Sequence, residues 1–483
     1  MTPAEQRAAV LEELGKRTFD VLVVGAGIVG CRIALDAASS GMSVALIDRG
    51  DLACGTSSAS SKFIHGGFRY LGMGDIRLVR AAQLERAALM RRVPELVKPM
   101  PIVVALDRRR YPRPLVQLGV AAYRRLDGPC EARARILGSA EAAGLVPGFS
   151  CRSSHLLALL PEAQTDDARL TIATARAAAN GGALVANYVG VEALEIAGGR
   201  VAGAFARDRV GASDLRIRCR SIVNATGAHI DVVRRLENPT CQPLAVLSKG
   251  IHLVLPLEKP WRAGIASYSD DHRTTFVVPW QGVLLVGTTD SPFSGSPAAV
   301  GVDADEEAAV LTAARRLVND GSLRSERIRF RFAGLRVLSS GAPDTARVSR
   351  EHILAVGAGG MVSVAGGKLT LHRLIARDAL ACLPTEVRPR TVRQNFPAVN
   401  VGSSDTRAKI AHAIEREWAV TVDDLVRRRT HLAVQGRDDA ETRAEIATML
   451  RGAGFGRGEL SPAVRLGGFE PPTSRSGGAR SIP

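Results

Sequence analysis

The chain opens with charged residues interleaved with alanine and leucine as far as Lys16 and then turns apolar, so that Phe19-Asp20-Val21-Leu22-Val23-Val24 reads as a buried strand. A glycine-rich turn, Gly25-Ala26-Gly27-Ile28-Val29-Gly30, leads into a helical stretch that ends near Ser40. A second strand, Ser43-Val44-Ala45-Leu46-Ile47, stops at Asp48. Between about 183 and 227 short β-rich segments are punctuated by turns at Gly198-Gly199 and Gly211, and they close on a strand that runs into Asn224-Ala225-Thr226-Gly227. Alternating strands continue from 244 to 337, among them Ile251-His252-Leu253-Val254-Leu255 and Thr275-Phe276-Val277-Val278, with one helix near 304–318. Residues 352–383 read as strand, Gly366-Gly367-Lys368, then helix. That glycine pair fits either a helix N-terminus turned to a ligand or a tight strand-to-helix turn. A proline-rich linker over 384–404 precedes two or three helices from Asp405 to about Leu450. These carry Arg427-Arg428-Arg429, an arginine run expected on a solvated helix face.

The 483 residues are enough for two or three domains with full cores. Hydrophobic residues at 46% and charged ones at 23% exclude wholesale disorder and fibrous architectures. The net charge of +16 comes from 57 arginines against seven lysines. A GC-rich coding sequence accounts for such an excess without any partner, and an anionic partner is the sharper alternative. No aromatic ladder accompanies the basic runs, so nucleic acid is not expected. Seven cysteines without a CxxC pair or histidine-spaced ligand set point to neither disulfides nor a metal site. No apolar run reaches the length of a spanning helix and the N-terminal segment lacks a signal-peptide core, so the expected location is cytoplasmic or peripheral on the cytoplasmic membrane.

Strand, GxGxxG, helix, strand and acid, with the acid 18 residues past the last glycine, is the dinucleotide-binding arrangement. Gly25 allows the tight turn, Gly27 lets backbone approach a pyrophosphate, and Gly30 lets helix and strand pack closely. The helix N-terminus offers its dipole to the phosphates, and Asp48 can accept ribose hydroxyls. NAD and FAD share this fingerprint. The motif's position at the N-terminus of a long chain, and the lack of a second complete unit downstream, favour FAD.

Asp51-Leu52-Ala53-Cys54 and the following Thr56-Ser57-Ser58-Ala59-Ser60-Ser61-Lys62-Phe63-Ile64-His65-Gly66-Gly67-Phe68-Arg69-Tyr70-Leu71 closely resemble the signature of FAD-dependent glycerol-3-phosphate dehydrogenases. Further matches are Thr165-Asp166-Asp167-Ala168-Arg169-Leu170, Val223 to Gly227, Lys249-Gly250-Ile251-His252, Gly287-Thr288-Thr289-Asp290, Gly334-Leu335-Arg336 and Gly366-Gly367-Lys368-Leu369-Thr370. The resemblance implies an α/β fold of the glutathione-reductase and D-amino-acid-oxidase type, with a Rossmann-like FAD domain and a mixed-sheet domain capping the substrate. It implies oxidation of sn-glycerol 3-phosphate to dihydroxyacetone phosphate, with hydride passing from C2 to flavin N5 and electrons to a membrane quinone. A glycerol-3-phosphate oxidase using oxygen, or a dehydrogenase of another hydroxy or amino acid, is the neighbouring alternative. A catalytically inactive flavin- or anion-binding protein is the alternative of another class.

Expected domain limits are 19–90, 150–240 and 350–383 for a discontinuous FAD domain, 91–149 and 241–349 for the capping domain, and 405–460 for a shortened helical region. The residues implied for FAD are Gly25, Gly27, Ile28, Gly30, Asp48, Thr56, Ser57, Ser61, Lys62, His65, Gly66, Gly67, Ala225, Thr226, Gly227, Gly367, Lys368, Leu369 and Thr370. His252 is the candidate base for the hydroxyl proton, the other reading being a strand-face histidine satisfied by a carbonyl. Arg69, Tyr70, Arg336 and Arg350 are the candidates for a phosphate dianion, and Lys368, expected near the flavin or substrate oxygens where its charge stabilises the anionic reduced flavin, joins His252 and Arg336 as the expected catalytic residues. Three of the seven lysines, Lys62, Lys249 and Lys368, fall inside the signature stretches, which marks lysine as the more informative cation here. Departures from the family pattern stand at Val337, Ala228-His229 and Leu371-His372. The tail over 461–483 has no secondary-structure period and is expected to be disordered. Its Gly468-Phe469-Glu470-Pro471 is similar to the translated complement of a tRNA T-arm, which points to a reading-frame artefact.

Overall fold

In the computed structural model the described residues are 1–72, 74–126, 133–152, 155–268, 274–340, 352–398 and 405–456, with the side chain of Arg69 outside them. A six-stranded sheet has the spatial order His352–Val356, Val362–Gly366, Ile222–Asn224, Val21–Val24, Val44–Ile47 and Leu184–Ala186. All its pairings are parallel except that of the first two strands. Val21–Val24, Val44–Ile47 and Ile222–Asn224 are buried at every position, as expected for strands covered on both faces. From Val21–Val24 the chain departs to one side for Val44–Ile47, while Ile222–Asn224 takes the other side, so a crevice opens at the carboxyl ends of these strands. Gly25, Asp48 and Ala225 stand at those ends.

The second sheet has ten strands, among them Val97–Asp107, His155–Thr165, Ala245–Pro256, Thr274–Trp280, Val283–Gly287 and Phe330–Ser339. His155–Thr165 pairs antiparallel with Val97–Asp107 over its whole length, so these residues belong to the large sheet. They stand apart from the nucleotide-binding layer, to which the sequence pattern over 150–240 assigns them. Side chains alternate across this sheet. Ile251, Leu253 and Leu255 pack on one side with Val310, Leu311 and Ala314 of the helix Ala304–Arg315, while Val254 joins the core shared with the parallel sheet. His252 is on the same side as Val254 and so faces the crevice.

A four-stranded sheet built from Thr18–Phe19, Val189–Ala197, Arg200–Asp208 and Asp214–Cys219 packs with the helix Pro3–Lys16. Residues 405–456 form the helices Thr406–Arg416 and Ala440–Gly452, joined through a short helix, Val422–Asp424, and a π-helical turn over Leu425–Arg429. Ile410, Ile414, Leu425, Val426 and Leu450 give this region its own small core. The segment before it is strapped to the helix Ile28–Ser39, since Arg32 donates to the Asn395 carbonyl at 2.6 Å and Asn395 Nδ2 donates to Ser39 Oγ at 3.1 Å. The tail over 461–483 and Arg350 lie outside the described residues.

Candidate functional site: a dinucleotide cavity with a buried histidine

The crevice is the mouth of a cavity of about 860 Å³. At one end the glycine turn is enforced by close packing. A Cβ on Gly30 would lie 1.8 Å from the Gly25 carbonyl oxygen, and one on Gly25, whose φ is +105°, would lie 2.6 Å from that of Ala225. Gly30 therefore acts through helix–strand packing and does not line the cavity, whereas Gly25, Gly27 and Ile28 do. Asp48 lines this end too, with Oδ2 accepting from Ala26 N at 2.6 Å and Oδ1 from Gly50 N at 2.8 Å. Burial pushes its carboxyl up to about 6, against the pull of those two amides. Ser57 Oγ accepts from Ile28 N at 2.9 Å, which ties the signature loop to the helix start.

Thr56, Ser57, Ser61, His65, Gly67, Ala225, Thr226, Gly227, Gly367, Leu369 and Thr370 line the cavity, and Tyr70, His252, Arg336 and Lys368 line it as well. His252 is 2% exposed. Its Nε2 is 3.0 Å from Ser61 Oγ, its ring stacks on Phe332 at 4.8 Å, and Nδ1 has no hydrogen-bond partner among the described residues. The partner is thus a signature-loop hydroxyl, not the carbonyl of the alternative reading. Burial, with Arg336 and Lys62 nearby, holds the imidazolium pKa well below its usual value, so the ring is neutral near pH 7. The ring also needs its neighbour small, because a Cβ on Gly287 would come within 2.7 Å of His252 Cδ2. Arg336 donates to Thr289 O at 3.0 Å and Thr288 Oγ1 at 2.9 Å, and approaches Asp290 at 3.7 Å. Lys368 Nζ lies 3.4 Å from the centroid of the Tyr70 ring. Thr370 Oγ1 accepts from His65 N at 3.2 Å, joining the second glycine segment to the signature loop.

Besides Gly30, three expectations change, those for Lys62, Gly66 and the arginine run. The Lys62 ammonium does not reach the cavity; it donates to Asp167 Oδ1 at 2.7 Å and Ser58 O at 2.6 Å and lies over the Trp280 and Phe332 rings. Gly66 is also set back, its N–H held by Glu162 Oε2 at 2.8 Å, and a Cβ there would meet Tyr123 OH at 2.2 Å. Lys249 pairs with Asp303 and Glu306 at the start of the helix Ala304–Arg315. The arginine run is not a solvated face, because Arg429 is buried and Arg428 nearly so against Asp51, while Arg427 alone is exposed. Residues that sequence reasoning missed include Glu162, which holds Arg86 and Tyr123 besides Gly66, and His229, paired with Arg49 at 2.8 Å. Burial and the Arg49 charge bring His229 down to about 4. The adjacent acids Asp166 and Asp167 were the visible signal for buried partners, and each has one, in His431 and Lys62.

The donor set fits a flavin dinucleotide, because a glycine turn with a half-buried carboxylate and a buried histidine with cations line one and the same cavity. Comparison with known proteins agrees. Residues 20–373 match the model of the FAD-dependent oxidoreductase (DAO) family. Glycerol-3-phosphate dehydrogenase 2 of Mycobacterium tuberculosis is 38% identical over 395 residues, covering 80% of this chain and 67% of that protein. The mitochondrial glycerol-3-phosphate dehydrogenase of Rattus norvegicus is 31% identical, over 78% of this chain and 54% of its own length. Among solved structures, glycerol-3-phosphate dehydrogenase from Bacillus halodurans complexed with FAD superposes with a TM-score of 0.77 over 96% of both chains, at 22% identity. The L-α-glycerophosphate oxidase of Mycoplasma pneumoniae with FAD bound gives 0.62 over 79% of this chain and 98% of its own, at 19% identity. Fold and site thus define an FAD-dependent oxidoreductase. Within that class, the chain belongs to the FAD-dependent glycerol-3-phosphate dehydrogenase family. It spans about two thirds of the length of the mycobacterial relatives and about half of the mitochondrial ones.

Proposed function

We propose that the protein oxidises sn-glycerol 3-phosphate to dihydroxyacetone phosphate and passes the electrons to a membrane quinone. The observation that carries this reading is a neutral, buried imidazole, His252, lining one cavity with Arg336, Tyr70 and Lys368. Bound FAD supplies the acceptor for the hydride that leaves C2. His252 takes the hydroxyl proton at Nε2 once the substrate hydroxyl displaces Ser61 Oγ, which holds the ring in place until then. Arg336 and Tyr70 bind the phosphate, with Arg69 and Arg350 as further cations from the sequence pattern. Arg336 is held by Thr288 and Thr289, so its guanidinium is oriented before substrate arrives. Lys368 balances the negative charge that develops beside it.

The quinone reading is supported by one surface. The helix Arg113–Leu126 buries Val116, Val120 and Tyr123 and turns Leu115 and Leu118 outward, 54% and 69% exposed, with Arg113, Arg124 and Arg125 exposed beside them. Such a basic, apolar-faced helix suits the surface of an anionic bilayer. No helix among the described residues is long and apolar enough to cross one. The reading is tested by flavin reduction with phosphorylated and unphosphorylated alcohols, followed by a choice of acceptor. Reduction by glycerol 3-phosphate with turnover on a quinone analogue supports it, and peroxide formed in air at the same rate points to the oxidase instead. Replacing Leu115 and Leu118 by serine should release the protein from anionic vesicles.

A further inference from the structure

Asp51 follows Asp48 by three residues, is 1% exposed, and has no part in the chemistry described above. Arg429 donates to both its oxygens, at 2.6 and 2.7 Å, and Arg428 Nε donates at 2.5 Å. Burial opposes the charge on Asp51, but the two guanidinium groups outweigh it and hold the carboxyl below its ordinary range. Arg428 also reaches Asp424 at 2.8 Å, and Asp424 accepts the Tyr188 hydroxyl at 2.7 Å. The backbone of Tyr188 returns to Gly50 O at 2.9 Å, so the network starts and ends beside Asp48. Above it, Asp423, Arg427 and Arg443 line the same cavity from its rim. Arg443 donates to Asp423 at 2.7 Å and Arg427 lies 3.8 Å from that carboxylate, all three being partly exposed.

We propose that the segment from Thr421 to Arg443 is a cofactor-retaining clasp that closes the adenosine end of the FAD cavity, anchored by Arg428 and Arg429 on Asp51. The proposal rests on the assignment of the Asp48 end to the adenosine ribose. The clasp comes from a part of the chain about 370 residues beyond the fingerprint it covers, so the C-terminal helices govern how long FAD stays bound. The buried layer fixes the clasp in place, while the rim pair Asp423–Arg443 is exposed enough to open without unfolding it.

The test is the rate at which purified holoenzyme releases FAD after dilution, followed by the rise in flavin fluorescence. Arg428→Met should speed release by about 10-fold or more, as expected for the loss of charge-assisted hydrogen bonds. Should that variant not fold, the rim variant Arg427→Gln/Arg443→Gln decides, with release about 3-fold faster, an unchanged thermal midpoint and restoration by Arg443→Lys. Release at the wild-type rate from a folded Arg428→Met and from the rim variant overturns the clasp while leaving FAD binding intact. A wild-type protein that holds no flavin and takes none up overturns the cofactor assignment itself, and the clasp with it.

Discussion

Ser61 Oγ stands 3.0 Å from His252 Nε2, a contact that joins the signature loop of the nucleotide-binding layer to the strand Ala245–Pro256 of the large sheet and so assembles the site from both. His252→Ala should keep FAD bound but slow flavin reduction by about 10²-fold or more, the usual contribution of a general base. Ser61→Ala should cost less, because it removes the orienting bond and leaves the imidazole. Stopped-flow reduction at saturating substrate measures both, and a near-normal rate for His252→Ala excludes it as the base.

The depressed pKa of His252 sets the acid side of the pH profile. A histidine held neutral by burial stays an acceptor below pH 6.5, so the limiting rate of reduction should not fall through loss of this base between pH 8 and 6. The same shift lowers stability as pH drops below 6.5, because only the unfolded chain then takes up the proton. An acid limb near pH 6.5 in the limiting rate at saturating substrate contradicts the neutral-base reading.

Arg336→Ala should raise KM for glycerol 3-phosphate by roughly 10- to 100-fold, as for a lost hydrogen bond to a charged group, and should barely affect unphosphorylated glycerol. Steady-state kinetics on the two substrates separate phosphate binding from a general disturbance of the site. Equal losses on both count against the role.

Asp167→Ala leaves the Lys62 ammonium buried with only the Ser58 carbonyl and two aromatic faces. Removing one partner of such a pair costs about 3–5 kcal/mol, readable as a fall in the denaturation midpoint. A stability equal to wild type shows that the pair is not what holds Lys62.

Gly30→Ala places a Cβ 1.8 Å from the Gly25 carbonyl and should abolish FAD retention, measured as flavin per chain. Full flavin content removes the packing role assigned to the third glycine.

The parts of the fold and site that could be read in the sequence are those whose causes are local. Val21–Val24, the glycine turn and Ile28–Ser39 follow one another within twenty residues, and each carries its own signal in periodicity or turn chemistry. The position of His252 and Arg336 on the cavity follows from their motifs. The misreadings share one cause, a partner far along the chain. Lys62 looks like a cofactor ligand until Asp167 is placed against it, and Arg429 looks solvated until Asp51, 378 residues away, is found beneath it. Val97–Asp107 carries Pro99 and Pro101 in its first half and an unbroken apolar run from Ile102 to Leu106 in its second, so no alternation marks it as one of the longest strands of the large sheet. Burial and ion pairing over such distances are tertiary facts, and a periodicity window cannot contain them.

The central claim is tested most directly by adding sn-glycerol 3-phosphate to the purified, FAD-replete protein under anaerobic conditions and watching the oxidised flavin absorbance. The account predicts rapid bleaching, saturable in glycerol 3-phosphate and greatly slowed in His252→Ala. A spectrum that stays oxidised, in protein that holds a full complement of FAD, contradicts it.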